Sequence, residues 1–177
     1  MEFDIPDKTL IMMIGLPFSG KTTFVEKEII KDMNEFVIVS KERLKTLMAG
    51  EADVSHNTHS LIDVMKNYFY QDLLLQGKKI VLDEYHISKK ERMNKIGYVK
   101  EFGYTVVGVF LGTPVDECLN RAENEMKKRM VKQVANHFEV PTNDEGYDKL
   151  IAIDHEDSPM NEFENSLNNL DNLFGIN

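Results

Sequence analysis

Residues Gly15 to Thr22 read GLPFSGKT, which is glycine, four residues, glycine, lysine and a hydroxyl side chain. That order suits a loop wrapped closely around a polyphosphate, because Gly15 and Gly20 let the backbone approach where side chains would obstruct it. Gly15, Pro17, Phe18, Ser19, Gly20, Lys21 and Thr22 form the candidate nucleotide-binding segment. Its amides and the following helix N-terminus face the phosphate oxygens. Lys21 supplies a cation for the β and γ phosphates, and Thr22 places a hydroxyl on magnesium. Thr23 completes the segment as a helix-surface or packing residue. Asp83 closes the apolar run KIVLD, where a carboxylate can hold the same ion through its water shell.

Other residues have two readings each. Glu42, just beyond EFVIV, can accept a proton from a substrate hydroxyl, or SKER can simply begin a surface helix capped by Ser40. Its neighbour Lys41 can instead meet an anionic substrate. Glu84 can orient an attacking water, as in an ATPase, or face solvent. His86 is expected at the surface, within possible reach of substrate. Arg121, Lys127, Lys128, Arg129 and Lys132 make one compact basic stretch. A cation there, Arg121 first, can close over a phosphoryl group whose transition state spreads charge over its oxygens.

The elements that must position these residues follow from apolar spacing. TLIMMI reads as a strand ending at Gly15, and Lys21 to Lys31 as a helix. EFVIV is a second strand, Glu42 to Met48 a short helix, and Ala49 to Thr58 a polar loop. His59 to Gln76 is a long helix, with apolar Leu61, Met65, Tyr68, Phe69 and Leu73 mostly three or four apart, closed by Gly77. KIVLD is a third strand with the pattern of one buried on both faces. Ser88 and Glu91 form a capping box for the next helix. YTVVGVFL is a fourth strand, and Thr113 with Pro114 predicts a helix capped by the threonine. Leu150 to Ile153 is a fifth strand, and a last helix has Phe163, Leu167, Leu170 and Phe174 on one face. Strand and helix alternate throughout, which predicts a parallel sheet covered on both faces with ligands at the carboxyl ends of its strands.

The chain has 177 residues, a formal charge of −9 and one cysteine, Cys118, which excludes an internal disulfide. From Val140 onward nine acids face a single base, Lys149, so the rest of the chain is close to neutral. Net acidity therefore excludes no polyanionic substrate. No segment reaches the roughly 18 apolar residues of a membrane span, and MEFDIPDKTL lacks the basic and apolar parts of a secretory signal. A cytoplasmic protein is the expectation.

GLPFSGKTT, VSKERLKTL, GKKIVLDEYHISKKERM, YTVVGVFLGTPVDECLNR and NHFEVPTNDEGYDKL, in that order, resemble the phosphate-loop kinases related to the phage-type polynucleotide 5′-kinase domain. These are zeta-toxin-like and adenylate-kinase-like phosphate-loop (Walker A) kinases. The resemblance implies transfer of the γ phosphate of ATP, with magnesium, to a hydroxyl. Gly15 to Thr22, Asp83 and Arg121 fall on the family's motif positions. Where the family usually has an aspartate base after the second strand, the nearest acid here is Glu42. The expectation is one three-layer αβα P-loop domain over residues 1–177, with a five-stranded parallel sheet, a helical lid near 121–137 and a closing helix near 159–174. Lys21, Glu42, Asp83 and Arg121 are the expected catalytic residues, with Thr22 and Asp83 as metal ligands. A polynucleotide 5′-hydroxyl is the first acceptor considered. A nucleoside, sugar or antibiotic kinase, and an ATPase or nucleotide switch, are the alternatives. Oligomeric state is open.

Overall fold

The structure, a computed structural model, describes residues 6–30, 35–49 and 55–153. Strand β1 (Thr9–Ile14) is followed by α1 (Lys21–Phe24), a π-helical turn (Val25–Ile29), β2 (Val37–Val39), α2 (Lys41–Ala49), α3 (His56–Leu75) and β3 (Ile80–Leu82). Then come α4 (Lys89–Glu101), β4 (Thr105–Leu111), α5 (Val115–Arg121), α6 (Glu125–Ala135), a 3-10 turn (Asn143–Glu145) and β5 (Lys149–Ile153). The expected closing helix near 159–174, with Phe163, Leu167, Leu170 and Phe174, lies outside the described residues. So do Lys31 and residues 50–54 of the expected polar loop. The described flanks of that loop are ordered as α2 up to Ala49 and as Ser55, whose hydroxyl caps α3 by accepting from the Thr58 amide.

The five strands form one parallel sheet in the order β2-β3-β1-β4-β5. All six β1 residues are buried, and alternation of side chains sends them to two cores. Ile11 and Met13 join Val81, Val107 and Val109 against Val25 and Ile29. Leu10, Met12 and Ile14 join Ile80, Leu82 and Val106 against Leu73, Leu74, Ile96 and Val99 from α3 and α4. Each such aliphatic side chain contributes about 1.5–3 kcal/mol by leaving water. A central parallel strand therefore reads as an unbroken apolar run.

Three local readings change. The apolar stripe of α3 turns partly outward, with Leu61, Met65, Tyr68 and Phe69 exposed, whereas Ile62, Leu73 and Leu74 are buried and the last two pack against the sheet. Ser88 does cap α4 by accepting from the Glu91 amide at 3.2 Å, but the Glu91 carboxylate pairs with Lys95 in the next turn. The reciprocal box forms instead at Thr142 and Glu145. Thr113 does not cap α5, where Pro114 holds the cap position without a side-chain bond. The Thr113 hydroxyl donates to the Ser19 carbonyl at 2.8 Å and so ties β4's exit to the glycine loop.

Candidate active site

The loop after β1 is held open by three residues with left-handed or extended-positive backbone: Gly15 (φ 149°), Phe18 (φ 64°) and Gly20 (φ 98°). A Cβ on Gly15 would lie 2.9 Å from the Leu111 carbonyl oxygen, closer than real contacts allow, so the loop packs against β4 only as glycine. Lys21 starts α1 with its ammonium group turned back into the loop, 2.6 Å from the Leu16 carbonyl, 3.1 Å from that of Gly15 and 5.0 Å above the Tyr85 ring. Burial lowers its pKa to about 8, with the Asp83 carboxylate pulling the other way.

Thr22 and Asp83 meet across the top of the sheet, the hydroxyl donating to Oδ2 at 2.8 Å. Burial raises the Asp83 pKa, while the Thr22 bond and Lys21 resist the shift. The strand ends of β1 and β3 thus bring a hydroxyl and a carboxylate together beside a buried ammonium group; the two oxygen groups suit a hard divalent cation and the ammonium group suits the phosphates that carry it. A loop too tight for a Cβ, with a buried ammonium group in its bowl, likewise fits a polyphosphate.

A cleft of about 1050 Å³ opens there, lined by the loop with Thr22 and Thr23, by Glu42 from α2, by Asp83 and by Arg121. Glu42 is exposed on the first turn of α2, and its charge, after burial, helps push the Tyr85 hydroxyl up to about 12. Its neighbour Lys41 is bound to Asp63 of α3 at 2.7 Å. Arg121, at the end of α5, donates to the Phe18 carbonyl at 3.1 Å and pairs with Glu117. Lys127 of α6 lies 5.8 Å over the Phe18 ring.

Two expectations are corrected. Glu84 does not face solvent: its Oε1 binds Lys66 of α3 and its Oε2 binds Lys95 of α4 at 3.0 Å. Burial opposes ionisation, but these two lysines hold the carboxyl down to about 2. His86 is not a surface residue. It is 2% exposed, with a left-handed φ of 50° and Nδ1 2.7 Å from the Met13 carbonyl oxygen. Burial, then Lys95, lowers its pKa to about 3. Below it, Arg92 of α4 makes a bidentate pair with Glu145, both fully buried, and donates to the His86 and Ile87 carbonyls. Lys66, Lys95, Tyr85 and Arg92 carried no signal in the amino-acid sequence. Only Thr142-x-x-Glu145 had a recognisable pattern, that of a capping box.

A family profile described as an AAA domain (AAA_33) matches residues 10–143. The chain belongs to the AAA_33 family. No curated protein matches it in sequence. The fold of this AAA_33 chain is that of the phosphate-loop kinases. A protein of Chloroflexus aurantiacus j-10-fl, provisionally named a kinase, aligns with a TM-score of 0.68 at 16% identity, covering 96% of this chain and 99% of that one. A gluconokinase from Sinorhizobium meliloti 1021 aligns at 0.60 and 16% identity, over 97% and 96% of the two chains. A chain of the Pnkp1/Rnl/Hen1 complex aligns at 0.57 and 19% identity over 71% of the AAA_33 chain. The AAA_33 chain spans less than half the length of that last relative, 42%. Among the described residues no helix is long and apolar enough to cross a membrane.

Proposed function

We propose that the chain transfers the γ phosphate of ATP to an acceptor hydroxyl. The observation that carries this reading is the 2.8 Å contact between Thr22 and Asp83, which joins the loop helix to a strand-end carboxylate beside Lys21. The loop amides and Lys21 bind the phosphates. Thr22 and Asp83 would hold magnesium, which when bound neutralises charge on the phosphates. Glu42 takes the proton of the acceptor hydroxyl as its oxygen forms a bond to the γ phosphorus. The bond from that phosphorus to the β–γ bridging oxygen breaks, and its electron pair leaves with ADP. Arg121 moves from the Phe18 carbonyl to the transferring oxygens, and the 121–137 segment acts as a lid.

Glu84 is a poor candidate for activating water, since both its oxygens are bound to lysines. That favours the kinase reading over the ATPase one. The test follows labelled γ phosphate from Mg-ATP, with Lys21→Ala as the blank, in the presence of hydroxyl acceptors that include a 5′-hydroxyl oligonucleotide, sugars and nucleosides. Label on any acceptor supports the reading. Label released only as free phosphate, or absence of turnover, overturns it.

A further inference from the structure

The short segment after β3, Glu84 to Ile87, is held by α3, α4, β1 and the glycine loop, although the phosphotransfer steps above use none of its side chains. Glu84 pairs with Lys66 of α3 and, at 3.0 Å, with Lys95 of α4. His86 takes a left-handed φ of 50° and sets Nδ1 2.7 Å from the Met13 carbonyl oxygen of β1. Arg92 donates to the His86 and Ile87 carbonyls. A residue other than glycine in that backbone region is a local cost, which persists only where its surroundings over-determine it. Between these fixed neighbours stands Tyr85, whose carbonyl oxygen accepts the Gly15 amide at 3.3 Å. The segment is thereby tied to the first residue of the glycine loop.

What this frame fixes is the face of the Tyr85 ring. Its centroid lies 5.0 Å from Lys21 Nζ, and the side chain borders the cleft together with Lys21 and Asp83. Lys21 is buried, so its charge has little water around it and gains correspondingly from the negative face of an aromatic ring. An ammonium group has three protons, and three acceptors of the loop already surround this one: the Leu16 carbonyl at 2.6 Å, the Gly15 carbonyl at 3.1 Å and Ser19 Oγ at 3.3 Å. Turning a proton toward a phosphate therefore gives up a directional bond to the loop. Attraction to the ring makes no such demand, because it persists while the cation stays over the face within about 6 Å of the centroid. Of these contacts, the ring is the one that survives a swing of the ammonium group.

We propose that Tyr85 is a positioning residue for Lys21, its ring face carrying the ammonium group between the loop carbonyls and the phosphates of a bound nucleotide. The phosphate end of that swing rests on the function proposed above; the contact of ring and ammonium group does not.

Two measurements on the full chain test this. Tyr85→Leu removes the ring, and Tyr85→Phe keeps it without the hydroxyl. The first is a double-mutant cycle read from urea unfolding without nucleotide. There Tyr85→Leu is expected to lower the folding equilibrium constant about tenfold more beside Lys21 than in a Lys21→Met background. Equal losses in the two backgrounds overturn the inference, since a ring that only packs is lost at the same cost in both. The second is calorimetric titration with ATP. Tyr85→Leu is expected to raise Kd about tenfold, and Tyr85→Phe to bring it back within about threefold of the wild type. Tyr85→Met repeats both measurements with a more adaptable side chain, so neither depends on the folding of one variant. An unchanged Kd in Tyr85→Leu, or an equal rise in Tyr85→Phe, overturns the inference and leaves the phosphotransferase reading standing. A wild-type chain that binds no ATP overturns both.

Discussion

Lys21 is bonded to the backbone of the loop it serves, so its proton is part of nucleotide binding. With burial lowering its pKa to about 8, the free protein loses this cation as pH rises through that value, whereas bound phosphate restores it. ATP affinity is therefore expected to fall above about pH 8, with close to one proton taken up per nucleotide bound there. Calorimetric titration in buffers of different ionisation enthalpy measures this directly. Lys21→Ala is expected to lower turnover about 10²–10³-fold, as for removal of one positioned donor. His86 has the opposite bearing on stability. Its folded pKa of about 3 lies below the unfolded 6.5, so the unfolded chain binds the extra proton between those values. Stability is full above about 6.5 and declines as pH falls toward 3. Asn tolerates left-handed φ and retains an amide donor for Met13, so His86→Asn is expected to flatten the fall of Tm between pH 7 and 4. Lys21 and Thr22 were legible in the sequence because loop and helix are contiguous. The burial of His86 was not, since what covers it comes from strands and helices far along the chain.

At the level of elements, α4 is the piece that ties the cleft wall at Lys95 to the distant 3-10 turn. Arg92 leaves its exposed neighbours and pairs with Glu145 where neither side chain meets water. Removing one partner of such a pair leaves a buried charge uncompensated, so Glu145→Gln is expected to cost about 3–5 kcal/mol, read from the urea midpoint. Replacing both by apolar residues is expected to recover most of that loss. Thr113 offers a gentler probe. Thr113→Val removes its bond to the Ser19 carbonyl, a loss of about 1 kcal/mol, and is expected to raise the KM for ATP while leaving the acceptor KM unchanged. Sequence periodicity placed β1, β3, β4 and α4 well, because apolar runs and a serine cap are local signals. It misplaced the role of Thr113, since a threonine before proline looks the same whether it caps a helix or reaches across to a loop. It also read α3 as having one apolar face, when two exist and only one meets the sheet.

For the whole molecule, the alternation of strands and helices was enough to predict a parallel sheet, but not the order β2-β3-β1-β4-β5, which depends on contacts between residues far apart. One consequence of that order is a tightly packed seam between β4 and β5. A Cβ on Gly108 would lie 2.8 Å from the Tyr147 ring and 2.9 Å from Leu150. Gly108→Ala is therefore expected to destabilise by about 1–3 kcal/mol, seen as a lower Tm, with the turn carrying Glu145 displaced along with Tyr147. A different consequence concerns how the chain is made. β1 emerges from the ribosome first, yet its partners are Ile80 to Leu82 and Thr105 to Phe110. At about 5–20 residues per second, TLIMMI waits roughly 5–20 s before its β4 neighbour is synthesised. During that interval an uncharged, apolar segment with two open edges is free to pair with other nascent chains. The strand that builds the phosphate loop is thus the one of the five that waits longest for its last partner.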